Sequence, residues 1–190
     1  MSNNSLDKVE MERDLGVIIQ SNLKCNEQCA NAVKSANKTL GMIKRSFSYL
    51  DEDMVLQLYK TLVRPKLEYS VQAWRPYLRK DIDLIEKVQR RATKLAPNLK
   101  YKTYEERLVH LNLTTLETRR LRGDLIEVFK IFKGFDNVDS SKFFELHSTH
   151  TRGHSLKVFK SRCRLDCRKF SFSQRVVNIW NGLNDSIVAI

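Results

Sequence analysis

The chain has 190 residues, 42% of them hydrophobic, with 34 Lys plus Arg against 22 Asp plus Glu and a formal net charge of +12. That length accommodates one sizeable core or two small ones, and six Gly with three Pro exclude a low-complexity chain. No apolar run approaches the ~20 residues of a membrane span, and the opening MSNNSLDKVEMERD lacks a signal-peptide core, so an intracellular place, cytoplasmic or nuclear, is expected, with the four Cys reduced.

Leu15, Val17 and Ile19 alternate around Gly16 and predict one short strand ended by Ser21 or Asn22. From there the period changes. Cys25, Cys29, Val33, Ala36, Leu40, Ile43 and Phe47 recur at steps of three and four, which is one face of a helix of about six turns. Asp51 is placed to cap a second helix with Val55, Leu58, Tyr59, Leu62 and Val63 inward, and Pro65 is expected to kink or end it after Arg64. A third helix is expected to start at a cap on Asp81, to turn Ile82, Ile85, Val88, Ala92 and Leu95 inward, and to stop at Pro97.

Two capping boxes follow. Thr103 with Glu106 opens a short helix carrying Leu108 and Leu111, and Thr114 with Glu117 opens a longer one carrying Leu121, Leu125, Val128, Phe129 and Phe132, with Gly134 at its stop. The polar, turn-rich stretch 135–150 suggests a boundary. Beyond it Leu156 and Val158, then Cys163, Leu165 and Cys167, alternate with basic residues like a β-hairpin with one wet face, and Ser173 is placed to cap a last helix with Val176, Val177, Trp180 and Leu183. The fold class expected is mainly α: a helical bundle over 22–134, a short strand segment in 1–21 and a small basic α/β tail over 135–190.

Lys plus Arg against Asp plus Glu is 10 against 9 up to residue 70 and 24 against 13 after it, so the positive field belongs to the later part of the chain. Such a field attracts polyanions. Lys87, Arg90, Arg91 and Lys94 fall at steps of three, one and three on one side of the third helix, opposite Ile85, Val88 and Ala92. A phosphate backbone would relieve their mutual repulsion; a solvated face is the plain alternative. A second strip joins Arg152, Lys157, Lys160, Arg162, Arg164, Arg168, Lys169 and Arg175 with Phe159, Phe170 and Phe172. Arginine forks suit phosphates, while the three Phe are expected in the core rather than stacked on bases. Trp74, Trp180 and Leu62 are also expected to be buried.

Taken in order, six phrases carry a resemblance: Leu58–Tyr69 (LYKTLVRPKLEY), Trp74–Pro76, Asp81–Lys94 (DIDLIEKVQRRATK), Leu113–Ile131, Thr151–His154 (TRGH) and Phe172–Leu183 (FSQRVVNIWNGL). From about Asp14 to the C-terminus the chain resembles the region that follows the polymerase palm in reverse transcriptases of jockey-like, LINE-type (non-LTR) retrotransposons. The resemblance implies a last palm-edge strand, a helical thumb that grips an RNA–DNA duplex, and a tail. It implies magnesium for the parent polymerase and the parent's palm as a partner, with no cofactor for this piece.

Polymerisation needs paired carboxylates holding two metals, and no Asp-Asp dipeptide occurs. Asp51, Glu52 and Asp53 read as a helix N-terminus with acids favoured by the dipole. No GxSxG, glycine-rich phosphate loop or HExxH is present. The Cys25/Cys29 and Cys163/Cys167 spacings do not match zinc knuckles; Cys25 and Cys29 read as apolar face. In the Thr151–His154 turn, Gly153 is expected to supply a backbone bend and His154 a hydrogen bond or a phosphate contact. The reading is therefore a non-catalytic fragment of an RNA-directed DNA polymerase that holds nucleic acid, against two alternatives: a module that binds an acidic protein partner, or a non-functional remnant of a degenerate element.

Overall fold

A computed structural model describes residues 8–147 and 153–188. The chain is mainly helical, with one short antiparallel sheet near its N-terminus. It divides into two compact units, Met1–Ser70 with Trp74–Leu116, and Val71–Ala73 with Glu117–Ile190. The division thus falls at Leu116, at the start of the long helix, and not after Gly134 as the turn-rich stretch suggested. Among the described residues no helix is long and apolar enough to cross a membrane.

The first unit opens with a hairpin, β1 (Met11–Asp14) paired with β2 (Val17–Gln20) in the register Asp14 to Val17. The single strand expected through Leu15 is corrected here, because Leu15 and Gly16 form the turn, with φ of 44° and 84°. Two positive φ values at the centre of a two-residue loop match the twist of the flanking strands. Glycine takes that geometry freely and leucine does not. The Tyr69 hydroxyl donates to the Leu15 carbonyl at 3.0 Å, which helps hold the strained residue.

Helix α1 (Asn26–Ser46) buries Cys29, Ala32, Val33, Ala36, Leu40 and Ile43, the face its period predicted, while Cys25 is the N-cap position and Phe47 is 38% exposed beyond the end. The second helical stretch begins as expected, with the Asp51 carboxylate accepting from the Met54 amide at 2.8 Å to cap α2 (Glu52–Leu58). It does not stop at Pro65. A π-helical turn over Tyr59–Val63, in which the Arg64 amide reaches back to the Tyr59 carbonyl, leads into α3 (Arg64–Glu68) with Pro65 in its first turn. Proline lacks an N–H to return to the turn before it, and the wide π turn just ahead of it is where such an interruption of the ladder is accommodated.

The wide turn also sets which face is buried. In a regular helix every fourth residue drifts by about 40°, and a π turn takes much of that drift back. Val55, Tyr59, Val63 and Leu67, each four apart, are consequently all buried, and Leu62 is left 41% exposed, contrary to expectation. Leu67→Ala should therefore cost about 3 kcal/mol and Leu62→Ala less than about 1 kcal/mol in denaturant unfolding. Equal losses at the two positions would show that the face is misassigned.

After α4 (Val71–Trp74), where Trp74 is buried as expected, α5 (Arg79–Ala92) starts from Leu78 rather than Asp81, and Asp81 lies buried in its first turn. Ile85, Val88 and Ala92 face inward, and α5 packs on α1. Helix α6 (Tyr104–His110) carries the expected Thr103–Glu106 capping box; these bonds hold the Glu106 carboxyl below its usual range.

The second unit is built on α7 (Leu116–Lys133), closed by Gly134 at φ 70°. Its core joins Val128, Ile131, Phe144, Val158, Val176, Val177, Trp180 and Val188. Phe132 lies 5.4 Å from Phe144 and 5.7 Å from Trp180, ring centre to ring centre. The expected tail hairpin reduces to one bridge, Leu146 to Val158. Among the described residues no strand continues it; Cys163 and Leu165 lie on irregular chain and Cys167 on α8 (Asp166–Lys169). Ser171 and not Ser173 precedes α9 (Phe172–Arg175), and α10 (Val177–Asn181) and α11 (Asp185–Val188) follow.

Candidate nucleic-acid interface

The basic face of α5 is present as the spacing implied: Lys87, Arg90, Arg91 and Lys94 are all exposed, and none is ion-paired among the described residues. Arg90 and Arg91 lie in the last turn of α5, where the helix dipole favours cations, and Lys94 lies just past the helix end at Ala92. Arg79 and Asp83 pair at 2.9 Å near the start. Two of the four cations are held in place. The Arg90 guanidinium stands 4.4 Å from the centre of the Tyr104 ring, and the Arg91 guanidinium donates to Asn37 Oδ1 at 2.7 Å.

Beneath this face lies a buried polar network that the sequence reading missed. Gln89, fully buried, accepts from the Tyr59 hydroxyl at 2.5 Å and donates to the Tyr104 hydroxyl at 2.8 Å and the Thr114 carbonyl at 3.0 Å. Tyr104 in turn donates to Glu86, whose other oxygen accepts from the Leu116 amide at 3.0 Å. Burial pushes both phenols above their ordinary range, which keeps them as donors. The network fixes the ring on which Arg90 rests, so buried chemistry sets the position of a surface cation. Its signal was available, since Gln89 and Glu86 fall beside Ile85 and Val88 on the inward side.

The second predicted strip is only partly a surface. Arg162, Arg164, Arg168 and Lys169 are exposed, Lys157 is half-buried, and Lys160 donates to Asn178 Oδ1 at 2.9 Å. Arg152 falls outside the described residues. Arg175 is withdrawn from the strip altogether. Its Nε and Nη2 clasp the Asp124 carboxylate at 2.9 and 2.8 Å, and its remaining donors reach the carbonyls of Phe170, Val71 and Gln72. Of the three Phe, Phe172 packs edge-on against Phe144 as expected, Phe170 is half-buried, and Phe159 is 44% exposed.

His154 is a core residue and makes the expected hydrogen bond. It is 2% exposed, its Nε2 donates to the Trp180 carbonyl at 3.0 Å, and its ring meets the Trp180 indole edge-on. The adjoining Gly153, at φ 105°, supplies the expected bend. Asn181 then ties the segment down by exchanging hydrogen bonds with the Val158 backbone at 2.9 and 2.8 Å.

The acidic run does not fit a two-metal centre. Asp51 is spent on its helix cap, Glu52 pairs with His110 at 2.6 Å and accepts from Asn98, and Asp53 is exposed. Carboxylates so divided do not converge on one point. Among the described residues no three His, Cys, Asp or Glu side chains cluster to hold an ion. No protein-family model matches the chain, and no curated protein or solved structure is detectably similar to it.

Proposed function

We propose that this chain is the nucleic-acid-holding C-terminal region of a LINE-type, RNA-directed DNA polymerase, a grip on duplex backbone. The observation that carries this is the α5 face, four exposed cations without acidic partners, two of them oriented by Tyr104 and Asn37. The order of the six resembling phrases adds support. Positioned cations bind phosphate with less ordering cost than mobile ones, and a smooth helix face reads backbone rather than base edges. Polymerisation and its magnesium belong, in this reading, to the parent's palm, in the cytoplasm or nucleus where RNA and DNA meet.

The test is the salt dependence of binding to RNA–DNA hybrids of unrelated sequence. The logarithm of affinity should fall linearly with the logarithm of salt, with a slope of about −3 or steeper, and it should be nearly the same for each sequence. Affinity that ignores salt would place these cations in solvent and favour an acidic protein as the partner.

A further inference from the structure

In the C-terminal unit, an open cleft of about 460 Å³ is lined by Lys160, Ser161, Arg162 and Cys163 on one stretch of chain and by Lys169, Phe170, Gln174 and Arg175 on another. No carboxylate lines it. Arg175 is neutralised by Asp124 and serves as wall, which leaves Lys160, Arg162 and Lys169 as the charges that a ligand would meet. Phe170 adds half-buried aromatic surface, with the Lys169 ammonium 5.3 Å from its ring centre.

We propose that this cleft takes one unpaired nucleotide of a single strand, its phosphate on Arg162 and Lys169 and its base against Phe170. The volume lies in the range of small-ligand pockets and is too small to admit a duplex. A cation beside an aromatic ring offers both halves of a nucleotide's chemistry at once, and stacking tolerates any base. A guanidinium fork supplies the paired donors a phosphate accepts. The inference rests on the reading of the chain as a nucleic-acid binder.

The full chain is to be titrated, at constant salt, with a blunt RNA–DNA hybrid and with the same hybrid bearing a short single-stranded overhang. The overhang should tighten binding about ten-fold. Phe170→Leu, which keeps apolar bulk, and Arg162→Ala, at an exposed position, should each erase most of that gain. If Phe170→Leu melts early, Arg162→Ala carries the comparison. Alkylation gives an independent reading: the overhang should slow modification of Cys163, which lines the cleft, and spare exposed Cys167. Equal affinity for the two hybrids overturns the cleft assignment while the duplex reading stands; so does equal protection of Cys163 by inorganic phosphate alone. Binding to neither hybrid overturns both.

Discussion

Asp124→Ala is expected to destabilise the C-terminal unit by about 3–5 kcal/mol, as much as a large core truncation. Asp124 is fully buried and the Arg175 side chain only 10% exposed, so removing the carboxylate strands a guanidinium away from water. The remaining partners are carbonyls, whose dipoles offset part of the lost charge pairing. Arg175→Met should be costly for the converse reason, leaving a buried carboxylate. The double replacement Asp124→Leu with Arg175→Met should cost less than the sum, since neither charge is then abandoned. Trp180 fluorescence in a Trp74→Phe background reports unfolding of this unit through a tryptophan packed in its core. A loss below about 1 kcal/mol for Asp124→Ala, or strict additivity of the two, would sink the account.

That pair also shows where the sequence was legible and where it was not. Helix α1, the Asp51 cap, the Thr103–Glu106 box and the Gly134 stop could be read because each depends on residues within a few positions of one another. Asp124 lies four residues before buried Val128 on α7, and a charge in that register demands a counter-charge. Nothing local says that the counter-charge comes from Arg175, fifty-one residues away, and by spacing alone Arg175 belongs with the surface strip. Leu62 failed for a different reason, because the π turn that rotates it outward has no sequence signature separable from ordinary helix. The tail misled through its period of two. Alternation over a handful of residues describes any extended chain, and ladder formation depends on a partner strand, which here amounts to one bridge at Val158.

Among the interface residues, spacing alone brought Lys87, Arg90, Arg91 and Lys94 to one side, because helical geometry is local. Their support was not visible that way. Tyr104 and Asn37 arrive from other helices, and the chain from Tyr59 through Gln89 to Tyr104 and Glu86 is assembled by tertiary packing. A surface cation backed by such a network is a fixed charge, whereas an unsupported lysine samples many rotamers and loses entropy on binding.

Replacing Lys87, Arg91 and Lys94 together by Ala should weaken binding to RNA–DNA hybrids of every sequence and reduce the steepness of log affinity against log salt by about three units, one per lost phosphate contact. Arg90 is left in place because its guanidinium covers the Tyr104 ring, and its removal would disturb the network below. The fold should persist: all three positions are exposed, Ala is the best helix former, and the one bond lost, Arg91 to Asn37, is worth about 1 kcal/mol. Lowering the net charge by three would itself weaken attraction to a polyanion at long range. A second variant with Lys44, Lys66 and Lys100 replaced by Ala, all exposed in the same unit, removes the same charge elsewhere. Long-range attraction is screened beyond about 10 Å at ordinary salt, so this control should shift affinity slightly and leave the slope nearly unchanged. If both variants lose slope equally, the chain binds through diffuse charge and α5 is no interface. If neither loses slope while both melt normally, the α5 cations face only solvent, and an acidic protein becomes the partner to seek.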